Sequence, residues 1–198
     1  MGKAKRKSSR SAPVILSPLL APLGALQHLI ERFDNRGVII GGIAASLLGQ
    51  PRLTADLDAV IILSTDDVPK LIEAAAHEGM TTRIPEAEAF ARKNRVLLLK
   101  HVNSGINVDI SLGSLPFETE MIERGQEINV GGLYVRLPTP EDLIIMKAVA
   151  HRSKDMTDIQ AIAAIHPNLD KERIKFWVEQ FGTALEIPNL WSEIEKLF

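Results

Sequence analysis

The stretch GVIIGGIAASLLGQPRLTADLDAV, residues 37–60, decides how this chain is read. Its opening apolar run ends in Gly41-Gly42, and 13 residues separate that pair from Asp56-Leu57-Asp58. Two acids one residue apart on a strand point to the same face, with Cα atoms roughly 7 Å apart. A third carboxylate, Asp109, follows in the alternating segment INVDISL. Such a set suits a pair of Mg²⁺ ions about 3.5–4 Å apart, clamping both oxygens of an in-line phosphoryl displacement. A glycine pair opening a helix offers unhindered backbone N–H groups to a polyphosphate. The glycines alone would also fit a dinucleotide fold, but Gly-x-Gly-x-x-Gly is absent, as is a Walker A lysine motif. The combination points to nucleotide transfer.

Working outward, Gly37 to Ile40 reads as a short strand, and Gly41-Gly42 turn it into a helix ending near Gly49. LDAVIIL is the second strand, with the acid pair at its start. Upstream, a helix is expected from about Pro18 to Phe33, with Ser17 as N-cap and Pro18 at the first helical position. Asp66 and Asp67 open a helix that closes at Gly79, and residues 86–93 carry a weaker helical signal. The runs RVLLLKHV and INVDISL, parted by Asn103-Ser104-Gly105, read as a hairpin. On its second strand Asn107, Asp109 and Ser111 share one face, while Ile106, Val108 and Ile110 share the other. One polar face and one core face is what a metal site borne on a sheet needs.

A strand pair around Gly131-Gly132 follows, and then the chain turns helical. Thr139-Pro140-Glu141-Asp142 is a strong start signal: a cap, a proline at the first position, acids in the first turn. Helices are expected near 140–152, 155–165, 170–181 and 189–197. The division is therefore a disordered basic tail over 1–13, an α/β core over 14–138 and a helical region over 139–198.

The family signature of polymerase-β-like nucleotidyltransferases resembles this pattern: apolar-Gly-Gly, a gap, Asp-apolar-Asp, and a later isolated acid. It is matched by Ile40-Gly41-Gly42, Asp56-Leu57-Asp58 and Val108-Asp109-Ile110. Arg52-x-Thr54-x-Asp56-x-Asp58, with the later block PTPEDLIIMKAVAHRSKDMTDI, is similar to the small stand-alone enzymes of the abortive-infection toxin type. The resemblance spans roughly residues 37–160. It implies a small mixed sheet flanked by helices, with a C-terminal helical bundle. Asp56, Asp58 and Asp109 would be the catalytic, Mg²⁺-holding acids. Gly41, Gly42, Arg52, Thr54, Lys147 and Arg152 would bind the nucleotide.

Lys147 sits on the exposed-looking side of IIMKAVA, where a cation could neutralise a γ-phosphate; the plain alternative is a salt bridge. His151 lies one turn beyond Lys147 and Arg152 roughly 100° further round the helix. Asp155 and Asp158 are read as helix caps or orienting groups rather than metal ligands. The other histidines, His28, His77, His101 and His166, show no ligand spacing.

Composition bounds the partners. The chain has 198 residues, 45% hydrophobic and 24% charged, as a globular protein should. It has no cysteine, which excludes disulfides, thiolate catalysis and a cysteine-based zinc site. No apolar run suits a bilayer span, and the basic N-terminus does not lead into a secretory h-region, so a cytoplasmic protein is expected. Lys3, Lys5, Arg6, Lys7 and Arg10 put five positive charges in the first ten residues, leaving a net of −7 on the rest. Such an arm either binds nucleic acid or is a solvated tail. The resemblance implies an NTP substrate, an acceptor that is RNA (tRNA) or protein, and an antitoxin partner. A small-molecule, antibiotic-type acceptor is the alternative, and a non-catalytic binding module of the same fold is the third reading.

Overall fold

Asp58 belongs to the central part of a five-stranded sheet, and the register of that sheet decides where the site lies. In the computed structural model, which describes residues 14–198, β1 (Gly37–Ile40) runs antiparallel to β2 (Asp56–Ile62). β2 pairs in parallel with β5 (Asn107–Gly113), placing Asp58 directly beside Asp109. β4 (Val96–His101) and β3 (Met80–Thr82) continue the sheet antiparallel, in the order β1-β2-β5-β4-β3. The RVLLLKHV/INVDISL hairpin is β4–β5. Its alternation holds: Val108, Ile110 and Leu112 are buried while Asn107, Asp109 and Ser111 are half-buried. Such alternation is the pattern of a strand with one core face.

Helices cover the core face. α1 (Leu20–Arg32) buries Leu23, Leu26, Leu29 and Ile30, and α3 (Val68–His77) buries Val68, Leu71 and Ala75. These positions recur at helical spacing, so each helix offers one apolar stripe to the sheet. α2 (Gly41–Leu48) and α4 (Ala87–Asn94) complete the upstream helices. A separate hairpin, β6 (Gln126–Val130) with β7 (Leu133–Leu137), is tied to α1 by the Arg136 N–H, which donates to Gln27 Oε1 at 2.9 Å.

The last third is helical: α6 (Pro140–Ala150), α7 (Ser153–Ile165), α8 (Lys171–Ala184) and α9 (Leu190–Ile194). Thr139 caps α6 as expected, its hydroxyl accepting from the Asp142 N–H at 3.2 Å. Asp142 goes further than a dipole partner. Fully buried, it takes Arg173 at 2.8 Å and Arg124 at 3.2 Å, joining α8 to the chain ahead of β6.

Three local expectations need correction. Ser17 is not a helix cap, and Pro18 lies inside a 3₁₀ turn over Val14–Leu19; α1 starts only at Leu20, with no side-chain cap. β3 and the helix α5 (Pro116–Glu123) were not foreseen. α5 is capped from within, as Glu118 Oε2 accepts from the N–H groups of Ser114 and Leu115 at 2.7 and 2.8 Å. Its Phe117 then meets Trp177 and Phe181 of α8 edge-on, at 5.2 and 5.4 Å between ring centroids. The basic tail over 1–13 lies outside the described residues. No helix among the described residues is long and apolar enough to cross a membrane.

Candidate active site

Gly41 explains why a glycine must follow β1. Its φ is +66°, and a Cβ there would sit 1.9 Å from Asp58 Oδ2. At Gly42 a Cβ would meet Thr54 Oγ1 at 2.6 Å. The pair is needed less for loop flexibility than to bring the first turn of α2 against the acids of β2. Gly41→Ala therefore carries a left-handed backbone penalty of about 1–2 kcal/mol and a clash that turns Asp58 aside. A tenfold or greater fall in transfer activity, with a lowered melting temperature, is the expected measurement.

The loop from Gly49 to Ala55 returns the chain to β2 along α2. The buried Ser46 hydroxyl lies 2.9 Å from the Gly42 carbonyl and accepts from the Arg52 N–H at 3.3 Å, holding that loop to the helix. Thr54 donates to the Asp56 carbonyl at 3.1 Å. Arg52 reaches across to α7, its Nε and Nη2 donating to the two Asp158 oxygens at 2.9 and 3.0 Å.

All nine residues singled out in the sequence line one cavity of about 340 Å³: Gly41, Gly42, Arg52, Thr54, Asp56, Asp58, Asp109, Lys147 and Arg152. Lys154 and Asp155 join them. The acids of β2 and β5 share this lining with cations from the Arg52 loop, α6 and the start of α7. Beside it lies a smaller apolar hollow of about 110 Å³, lined by Ile40, Leu143, Met146 and Ala150. A further cavity of about 350 Å³ between α8 and α9 has Glu179 as its one charged residue and no comparable constellation, so it is not the site.

The acids repel one another. Burial pushes the Asp58 carboxyl above its ordinary range, and Asp109 and then Asp56 push it further. Asp109 is also raised, chiefly by burial, although Arg83 pulls it back. Such carboxylates invite a hard cation with oxygen ligands, as Mg²⁺ is. Among the described residues, however, no three acidic or histidine side chains converge closely enough to hold an ion as they stand. Asp109 is turned to an ion pair with Arg83. Asp56 and Asp58 on β2, with Asp109 beside Asp58 in register, are oxygen donors of the kind a hard divalent cation takes.

Lys147 departs from expectation. It is 5% exposed, not on an open helix face, and its Nζ donates to Asp155 at 3.1 Å and Asp158 at 2.6 Å. The salt bridge is therefore what the structure shows, with the lysine at the floor of the cavity. His151 does not face the cleft. It ends α6 with φ +51° and pairs with Glu193 at 2.9 Å. Arg152 grips Asp155 through Nε at 2.6 Å, and Asp155 in turn accepts from the Arg152 N–H at 3.3 Å. Asp155 thus caps α7, as the sequence suggested. Burial pushes both Asp155 and Asp158 up, but Arg152 and Lys147 on the first, and Arg52 and Lys147 on the second, outweigh it and hold both carboxyls below their ordinary range.

Three residues escaped the sequence reading. Ser46 and Arg83 act through partners set by the tertiary fold. Lys154, exposed and close enough to act on the Asp58 charge, is marked only by its place one turn from Asp158 in the same block.

With this geometry in hand, relatives can be placed. No curated protein matches the sequence. In fold, the chain is similar to an antigenic nucleotidyltransferase-like protein from Paracoccidioides brasiliensis, with a TM-score of 0.56 at 16% identity over 90% of this chain and 93% of that one. It is equally similar to the antibiotic-resistance factor ANT(2'')-Ia, with a TM-score of 0.57 at 12% identity over 87% of this chain and 95% of that one. At such identities the likeness concerns the fold, which is that of a nucleotidyltransferase. The family described as "Nucleotidyltransferase of unknown function (DUF6036)" matches residues 20–187, most of the chain, and the protein is a nucleotidyltransferase of that family, in keeping with its polymerase-β-like signature.

Proposed function

We propose that the protein transfers a nucleoside monophosphate from an NTP to an acceptor hydroxyl in a Mg²⁺-dependent reaction. One observation carries this reading: the glycine turn, four carboxylates (Asp56, Asp58 and Asp109 among them) and four cations line a single cavity. The acceptor oxygen forms a bond to the α-phosphorus as the bond to the β-phosphate oxygen breaks, and pyrophosphate leaves. Asp56 and Asp58 would hold the metal, joined by Asp109. Asp109 would also take the acceptor proton, a role that suits a carboxyl whose affinity for protons burial has raised. When bound, Mg²⁺ supplies charge to the non-bridging and leaving oxygens. The backbone N–H groups at Gly41 and Gly42 and the Thr54 hydroxyl would position the triphosphate. Arg152 and the exposed Lys154 would meet its outer phosphates. Arg52 and Lys147 would act at longer range from within their ion pairs. Positioning and charge neutralisation would supply most of the rate.

For the acceptor we favour RNA, with tRNA foremost, or a protein, in a toxin-like role within the cytoplasm under an antitoxin partner. The five positive charges among the first ten residues support the nucleic-acid form of this reading. The alternative, an antibiotic-type small molecule, draws on the fold shared with the antibiotic-resistance factor. Incubation with each labelled NTP, Mg²⁺ and either total RNA or cell extract identifies the acceptor by what becomes labelled. If RNA is the acceptor, deleting residues 1–12 weakens RNA binding at low salt. It also flattens the slope of log affinity against log salt by about 0.7–0.9 per lost phosphate contact. Transfer to a small molecule would be indifferent to the deletion. An unchanged slope, with label only on a small molecule, overturns the RNA reading.

A further inference from the structure

Among the described residues, Arg83 is the one whose side chain binds a carboxylate of the triad, yet it lies outside the signature. It follows β3, and its backbone N–H donates to the Leu98 carbonyl at 3.0 Å. Leu98 is the register partner of Asp109 across β4–β5, so the main chain carries the guanidinium to the edge of the acid cluster. There Nη2 donates to Asp109 Oδ1, while the buried Nε has no partner among the described residues.

The pairing is unlike the other arginine pairs of the site. Arg52 and Arg152 each present two nitrogens to both oxygens of one carboxylate. That two-point grip is the strong form of the contact. Arg83 uses one nitrogen on one oxygen, leaving Asp109 Oδ2 outside the pair and its own Nε unsatisfied. Both side chains keep some exposure, 23% for Arg83 and 35% for Asp109. A contact so made is poor as a structural rivet and well suited to exchange. It also accounts for the three acids not converging.

We propose that Arg83 is a positioning residue that holds Asp109 out of the metal-binding arrangement until a divalent cation displaces it. The inference rests on the metal-holding reading of the acids given above. Its consequence is an order of loading: the cation held by Asp56 and Asp58 enters unopposed, whereas the one that needs Asp109 competes with a guanidinium. The competition adds selectivity, since a doubly charged ion with several oxygen ligands wins over a single-point arginine contact and a monovalent ion does not.

The test is Mn²⁺ titration of the full chain, followed by the spectroscopic signal of free Mn²⁺, together with thermal melts without metal. Arg83→Met should tighten the weaker Mn²⁺ site about tenfold, because one charge-assisted contact no longer competes. Arg83→Lys, which restores the charge, should return affinity towards the wild-type value. Adding Asp109→Asn to Arg83→Met should abolish the gain. If Arg83→Met does not fold, Arg83→Gln, of similar length and without charge, takes its place. Unchanged or weaker Mn²⁺ binding in the folded neutral variant shows Arg83 to be structural and overturns the inference. If Asp56→Asn and Asp58→Asn leave Mn²⁺ binding as in the wild type, the metal-holding reading itself fails, a different outcome from the first.

Discussion

Asp56→Asn or Asp58→Asn leaves a folded protein whose nucleotide transfer is at least about a hundredfold slower, some 3 kcal/mol of lost transition-state stabilisation. The asparagine keeps the shape of the side chain but offers no negative charge to a cation. Mg²⁺-dependent NTP binding should collapse, while binding in EDTA should change little. Asp58→Asn has a second, opposite effect. Burial, then Asp109 and Asp56, hold the Asp58 carboxyl above its ordinary range. A carboxyl raised in the folded state costs nothing below its unfolded pKa, where both states are protonated. The penalty grows as pH rises past that value and is complete above the folded one. At neutral pH, Asp58→Asn should therefore stabilise the metal-free protein, a gain that vanishes in acid. Melting curves over pH, set beside turnover, test both halves. Full activity in the Asp56/Asp58 double variant would sink the proposed mechanism.

The largest expected loss of stability is that of Lys147→Met. Asp155 is fully buried and Asp158 nearly so, and both rely on the one ammonium group. Removing one partner of a buried ion pair costs up to about 3–5 kcal/mol, an upper bound here because Arg152 still grips Asp155 and Arg52 still grips Asp158. Denaturant unfolding measures this directly. Nucleoside di- and triphosphate binding should weaken together in the surviving folded protein, since the lysine is spent on aspartates. Loss confined to the triphosphate would return Lys147 to the γ-phosphate. The same network predicts acid sensitivity. Asp155 and Asp158 are held below their ordinary range, so their contribution is whole above the unfolded pKa and is lost as pH falls through the depressed folded values.

What the sequence disclosed about this site was the part written in short-range grammar. Gly41-Gly42 and Asp56-Leu57-Asp58 fix a strand, a turn and a pair of like-facing acids within one stretch, and the alternation of INVDISL turns Asp109 to the polar face. The start of α6 was legible at Thr139-Pro140 for the same reason. Lys147 was misjudged because its burial depends on partners 8 and 11 positions on, brought back by the next helix. Arg83 lies 26 positions from Asp109, and nothing around it marks a partner. β3, three residues long, is too short to show a period. The missed α5 did carry signals, Pro116 at its first position and Glu118 two further on, but its apolar stripe is only Phe117, Met121 and Ile122.

The parallel join of β2 to β5 bears on how the chain folds. β4 and β5 meet across a short turn, whereas Asp58 must find Asp109, 51 positions away. Closing so long a loop costs more entropy than closing a hairpin, and pairings of this kind form late. This one also drives three like charges onto a common face. Arg83 is carried by the β3–β4 side of the sheet through its bond to Leu98, so a late-docking β2 would meet it already beside Asp109. On that order of events the chain would bring its own counter-ion to the docking step and would complete its sheet without drawing on a divalent metal. The guanidinium would serve assembly first, and the cation of the proposed mechanism would take its place afterwards.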